Sequence, residues 1–92
     1  MREIELTSKF KKDYKRERKN PNHKNLELIL NVVVKSLQND EILSSSYRAH
    51  KLIGNFNEYE ECHLKQDLLL IYLKLDNKLK LIRMGSHSEL FK

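Results

Sequence analysis

His50, His63 and His87, with Asp67 between the last two, are the side chains of this sequence best suited to moving protons near neutral pH. Asp67 lies just across a short turn from His63, in reach of an imidazole hydrogen bond or of acting as a proton acceptor itself. Arg83, two residues before Gly85, adds a fixed cation. Cleaving RNA without a metal needs a base for the ribose 2′-hydroxyl, an acid for the departing 5′-oxygen and a cation for the charge on pentacovalent phosphorus. His50, Asp67, His87 and Arg83 are sufficient for all three.

Two rival chemistries use the same residues. A zinc site built from His63, Asp67 and His87 would suit a hydrolase, but no standard ligand spacing is present, so no metal or other cofactor is expected. Cys62 stands next to His63, yet neighbours in a strand point to opposite faces, so a nucleophilic pair is disfavoured and a buried thiol is expected. Phe91 is open to two readings, a stacking platform for a base or an apolar anchor for the tail.

The elements that must position these groups follow from periodicity. Arg2 to Leu6 alternates polar and apolar, the period of a half-buried strand, and Thr7 or Ser8 then offers a helix cap. A helix is expected from about Ser8 to Lys19, packing through a narrow stripe of Phe10 and Tyr14. Its other face carries Lys11, Lys12, Lys15, Arg16, Arg18 and Lys19, either a surface for phosphates or an acidic protein, or an ordinary solvated helix face. After the break at Asn20-Pro21-Asn22, the spacing of Leu26, Ile29, Leu30, Val33 and Leu37 predicts a second helix ending near Gln38.

Periodicity lapses from Asn39 to Asn57, where Ser44-Ser45-Ser46 and Gly54-Asn55 have loop chemistry. Three strands follow, Glu58–Leu64, Leu68–Leu75 and Lys78–Gly85, with turns at Lys65-Gln66-Asp67 and Asp76-Asn77, and short connections make them an antiparallel meander. On the first of them Cys62 and Leu64 look inward while Tyr59, Glu61 and His63 look outward. The expected fold is therefore α+β, two N-terminal helices on one face of a small antiparallel sheet, with the other face free for a ligand.

Composition sets the outer bounds. A chain of 92 residues with 39% hydrophobic content, two glycines and one proline is expected to form one domain over 1–92. The 18 Lys and Arg against 13 Asp and Glu give a net charge of +5, which favours a polyanionic partner. One cysteine and an N-terminus without a long apolar run point to a cytoplasmic setting, with no membrane segment and no signal peptide. Phosphate-binding glycine loops and paired-cysteine zinc motifs are missing from the sequence.

Three segments taken together resemble a known family. The run from Glu61 to Tyr72 (ECHLKQDLLLIY) is similar to the central signature of YafQ-type toxins in the RelE/ParE superfamily. The run from Arg83 to Phe91 (RMGSHSELF) is similar to their C-terminal signature, and His50 to Gly54 (HKLIG) to their His-x-Leu-x-Gly loop. The resemblance covers essentially the whole chain. It implies a microbial-ribonuclease-like (RelE) fold and an endoribonuclease that cuts messenger RNA, often on the translating ribosome, paired with an acidic antitoxin whose tail wraps the toxin.

It further implies that His50, His63, Asp67 and His87 form the catalytic set, with His87 as general acid, His50 or Asp67 as base, and His63 orienting or sharing that duty. Arg83 would hold the scissile phosphate and Phe91 would pack on a base or ribose. Lys51 and Lys65 are added, on charge alone, as further phosphate contacts. The chain departs from the family pattern at Leu68 and Gln66, where Trp and Pro are common, and at Ala49 and Lys51, where Asp and Pro are common. The competing reading is a catalytically weak toxin of the same fold that acts by occupying the ribosome or gyrase. A plain nucleic-acid-binding or structural protein ranks below both, since charge alone gives no reason for the C-terminal motif.

Overall fold

Short turns and alternating side chains build one sheet, with two helices supplying the apolar cover for its core. The computed structural model describes residues 1–52 and 58–91. In chain order the elements are β1 (Glu3–Leu6), α1 (Ser8–Arg18), α2 (Leu26–Gln38), β2 (His50–Lys51), β3 (Glu60–Lys65), β4 (Leu68–Lys74), β5 (Lys78–Gly85) and α3 (His87–Leu90). Single 3-10 turns occupy Pro21–His23 and Ser45–Tyr47. The expected Gly54-Asn55 loop lies outside the described residues.

The sheet runs β1-β5-β4-β3-β2. The meander of β3, β4 and β5 is antiparallel as expected, but β1 pairs in parallel with β5, so the sheet is mixed and not antiparallel throughout. A parallel neighbour needs a long crossover, and α1 and α2 lie in the chain between β1 and the meander. Nor is β1 half-buried: Ile4 and Leu6 lie beside Leu79 and Leu81 in register yet remain 46% and 40% exposed, because β1 is an edge strand of the sheet formed by the described residues.

Thr7 fixes where α1 starts. Its hydroxyl accepts the Phe10 N–H at 3.0 Å, capping the helix, and donates to the Ile82 carbonyl at 2.7 Å, tying that cap to β5. Asn20, followed by Pro21, ends the connection by accepting the Asn22 N–H through its side chain at 2.9 Å. One apolar cluster then joins Phe10 of α1 and Leu26, Leu30, Val33, Val34 and Leu37 of α2 to Cys62, Leu64, Leu70, Tyr72, Leu79, Leu81 and Met84 of the sheet.

The inward stripe of α1 is not purely apolar. Asp13 and Glu17 are buried with Phe10, while Tyr14 is half-buried and stacked on Phe10 at 6.1 Å between ring centroids. Cys62 has no exposure, and burial, with Glu61 and Glu60 close by, pushes its thiol up to about 12. In the native protein this thiol should stay silent to a thiol-reactive dye at pH 8 and react only once denaturant unfolds the chain; immediate labelling would contradict the burial. Leu26→Ala, at a site 1% exposed, should lower the free energy of unfolding by about 2–5 kcal/mol in a urea titration.

Candidate active site

Strand pairing decides which side chains meet on the sheet face turned away from the helical core. Glu61 of β3 pairs with His50 of β2 on one side and Ile71 of β4 on the other, and Ile71 pairs with Arg83 of β5. Residues paired across strands share a face, so His50, Glu61, Ile71 and Arg83 form one row. His63, Leu69 and Gly85 form the next row by the same rule. Glu61 and Arg83 are thus two strand spacings apart, about 10 Å.

Glu61, only 5% exposed, is the hub of the first row. Its Oε1 stands 3.5 Å from His50 Nε2 and 3.6 Å from His63 Nε2, ion-pair distances when the imidazoles carry a proton. The ring of His63 is in turn 5.8 Å from that of His87. Imidazoles and carboxylates therefore run in a line, His50, Glu61, His63, His87 and Asp67. The described residues whose donor atoms converge as a metal site would require are His50, Glu61 and His63, within 4.8 Å of one another. Among the described residues the converging set is thus not the His63, Asp67 and His87 triad weighed as a rival zinc site.

Asp67 does not serve His63 as expected. Its Oδ1 accepts His87 Nδ1–H at 3.0 Å and the His87 backbone N–H at 3.2 Å. His87 is the first residue of α3, where backbone N–H groups lack partners within the helix, so a carboxylate there satisfies the backbone and the ring together. These two bonds hold the Asp67 carboxyl below the usual carboxylate value. Ser86 and Glu89 close a reciprocal capping box at the same end, which fixes the orientation of α3. Gly85 eases the close packing at this corner: a Cβ there would lie 3.1 Å from Arg16 Nη2 and from Glu89 Oε1 and 3.2 Å from Leu90 Cδ2, so those side chains would have to give slightly.

Arg83 is held by a carboxylate that sequence reading passed over. Asp13, 2% exposed, accepts Arg83 Nε–H at 2.6 Å, Arg83 Nη2 at 3.2 Å, Arg16 Nη1 at 2.9 Å and the Met84 N–H at 3.0 Å. Burial alone would push this carboxyl up, but the bonds from Arg83, Met84 and Arg16 outweigh it and leave the group below its ordinary value. Arg16 also reaches Glu17 at 2.7 Å and Glu89 at 3.1 Å, so α1, β5 and α3 meet in one ionic cluster.

Phe91 follows α3, its ring 6.4 Å from that of His87. With Arg83, Lys9, Tyr59, Ile71 and Leu90 it lines a cleft of about 300 Å³, large enough for a nucleobase or ribose. Lys51 and Lys65 are not brought to this row. Lys65 Nζ donates to the Asn22 carbonyl at 3.0 Å and lines a cleft of about 310 Å³ with His63, and Lys51 lines another of about 310 Å³ with His50, Glu60, Tyr72 and Lys74. Strand alternation puts Lys51 on the opposite face from the neighbouring His50. On α1 the cationic face is exposed, and Lys11, Lys15, Arg18 and Lys19 border a groove of about 350 Å³ beside Tyr14.

Glu61 and Asp13 are the residues that sequence reading missed. Alternation had already put Glu61 on the face of His63, and that was the available signal. Asp13 gave none, since one acid in a run of lysines reads as a solvated side chain.

A sheet face lined with imidazoles, a buried carboxylate and a guanidinium defines a small basic α+β protein with an acid–base site. The described helices include none long and apolar enough to cross a membrane. Comparison with known proteins gives this class a family. The chain belongs to the family of bacterial toxins of type II toxin-antitoxin systems called YafQ, whose model matches residues 2–92.

The mRNA interferase toxin YafQ of Escherichia coli K12 is 31% identical over 90 residues, covering 98% of this chain and 96% of that protein. A copper-bound point mutant of a Helicobacter pylori toxin superposes with a TM-score of 0.91 at 37% identity, covering 99% of this chain and all of that one (100%). The toxin chain matched in the E. coli DinJ-YafQ toxin-antitoxin complex has a TM-score of 0.85 at 33% identity, covering 99% of this chain and 98% of that one.

The Asp67–His87 link makes the attachment of α3 sensitive to acid. A carboxyl depressed in the folded state contributes its stabilisation fully above its ordinary value of 3.8 and loses it as pH falls through the lower, folded value. An NMR titration should show the Asp67 carboxyl protonating below 3.8, with the His87 amide shifting in step, and Asp67→Asn should abolish that amide transition. An Asp67 that titrates at or above the ordinary value would contradict the link.

Proposed function

We propose that this chain is the toxin of a type II toxin–antitoxin pair and acts as a metal-independent endoribonuclease on messenger RNA. The observation that carries the reading is the line of groups on the sheet face turned away from the helical core, with His87 held by Asp67 at one end, His50 beside Glu61 at the other, and Arg83 on the same face. The names of the E. coli relatives support the same activity. We assign the fold to the microbial-ribonuclease-like class of the RelE/ParE superfamily, as one domain over 1–92.

In this reading His50, set against Glu61, takes the proton from the ribose 2′-hydroxyl. Asp67 is the weaker candidate for that duty because its carboxylate already accepts two bonds from His87. The 2′-oxygen attacks phosphorus, the bond to the 5′-oxygen breaks, and His87 gives that oxygen a proton. The products are a 2′,3′-cyclic phosphate and a 5′-hydroxyl. Arg83 meets the charge that builds on the non-bridging oxygens, and its fixed orientation suits a planar donor serving a phosphate. His63, between Glu61 and His87, keeps both ends of the line in place, and Phe91 packs against a base or ribose at the cleft beside Arg83. Lys51 and Lys65 fall outside this assignment.

The working partners are the ribosome-bound message and an acidic antitoxin, with the cytoplasm as setting. Charge supports both partners, since a net +5 and an exposed lysine-rich α1 attract RNA phosphates and acidic segments alike. The relative seen in the DinJ-YafQ complex supports a protein antitoxin.

A second use of the site is favoured by the convergence of His50, Glu61 and His63. Two imidazoles and a carboxylate fit copper or zinc, and the Helicobacter relative was solved with copper bound. When bound, such an ion would supply a Lewis-acidic charge beside the scissile group. Imidazole nitrogens that hold a metal do not carry protons, so the two uses exclude each other at His50 and His63.

On ribosome-bound message, His87→Ala and His50→Ala should each lower the single-turnover cleavage rate at least ~100-fold, the contribution of a positioned acid or base. Circular dichroism should be unchanged for His87→Ala, whose side chain is 57% exposed. Full activity in either variant would refute its role, and a wild-type protein that arrests translation without cutting would replace the nuclease reading with a binding toxin.

A further inference from the structure

We infer that Asp13 is a positioning residue for cleavage: its buried carboxylate fixes the plane of the Arg83 guanidinium, so that the cation meets the scissile phosphate in one orientation. This rests on the reading of Arg83 as the phosphate-binding cation. A flexible arginine explores many rotamers, and a guanidinium restrained before substrate arrives loses less freedom in the transition state. Asp13 binds Arg83 in the fork geometry that restrains it most, through Nε at 2.6 Å and Nη2 at 3.2 Å. The remaining capacity of the carboxylate is taken by the Met84 N–H at 3.0 Å and Arg16 Nη1 at 2.9 Å, so it is itself locked to β5 and α1.

The cost of this arrangement argues for a purpose. A carboxylate 2% exposed is hard to desolvate, and an apolar residue facing Met84 would serve packing as well. Electrostatically the pairing also works against simple attraction, because an anion beside Arg83 weakens its pull on a distant phosphate. What Asp13 gains for the protein is orientation at the expense of charge. The two effects separate in kinetics: removing the negative charge should leave substrate capture intact or improved while the chemical step slows.

The test compares Asp13→Asn, Arg83→Ala and the double variant in single-turnover cleavage of ribosome-bound message, with melting temperatures measured alongside. Asp13→Asn should lower the maximal rate roughly 10- to 100-fold without raising the half-saturating toxin concentration. In the Arg83→Ala background the same change should lower the rate far less, because Asp13 acts chiefly through the group already removed. A loss that multiplies undiminished in that background, or one that appears only in half-saturation, would overturn the proposal.

A second measurement does not depend on the variant folding. In the wild-type protein the Arg83 Nε–H should give a slowly exchanging, rigid NMR resonance, unlike that of exposed Arg48; equal mobility of the two would overturn the proposal. Arg83→Ala with wild-type activity would fell both this inference and the reading of Arg83 beneath it. An inactive Arg83→Ala beside a fully active Asp13→Asn would fell the inference alone.

Discussion

The register of β3, β4 and β5 is the constraint on which everything else rests. With Glu61, Ile71 and Arg83 paired across three strands, alternation sends Cys62, Leu70 and Met84 to the helices and leaves the first three on the opposite face. A slip of one residue would put Glu61 and Arg83 into the apolar cluster and bring Cys62 and Met84 out. Apolar burial against Phe10, Leu26 and Val33 therefore determines the chemistry of the opposite face. The two irregularities in the ladder, between His63 and Lys65 and between Ile71 and Tyr72, fall at the ends of the stretch that carries the site.

What that register cannot supply is the position of the C-terminal segment, and polar contacts do this instead. Asp67 holds the ring and backbone of His87, while Arg16 ties Glu89 of α3 to Asp13 and Glu17 of α1. A four-residue helix has too little apolar surface to dock by burial alone, so its orientation rests on these charge-assisted bonds, its capping box and the close approach allowed at Gly85. His87 and Phe91 thus depend on α1, an element distant from them in the sequence.

Much of this was legible in the sequence because local rules governed it. The helices, the meander and the outward side of Glu61 and His63 followed from the 3.6 and 2.0 periods, and the two structural boundaries at Gln38 and Gly85 agree with the expected ones. The parallel pairing of β1 was not legible, since alternation in Arg2 to Leu6 fixes a strand and not its neighbour. The role of Asp13 was hidden for a related reason: its partner Arg83 lies 70 residues away, and a spacing rule along the chain carries no information about such contacts. The preference of Asp67 for His87 over His63 likewise came from the unpaired N–H at the start of α3, an element too short to announce itself by periodicity.

In the mechanism we propose, protons held by these side chains, and no metal, cut the RNA strand. The decisive measurement is the chemistry of the RNA ends made on ribosome-bound message, in magnesium buffer, by wild-type protein first stripped of copper and zinc with EDTA and then freed of the chelator. Acid–base cleavage by these residues predicts undiminished cutting, a 2′,3′-cyclic phosphate or its 3′-phosphate hydrolysis product on one fragment, and a 5′-hydroxyl on the other. Cutting that is lost from the stripped protein and returns with copper or zinc, or that leaves a 3′-hydroxyl and a 5′-phosphate, would contradict this mechanism.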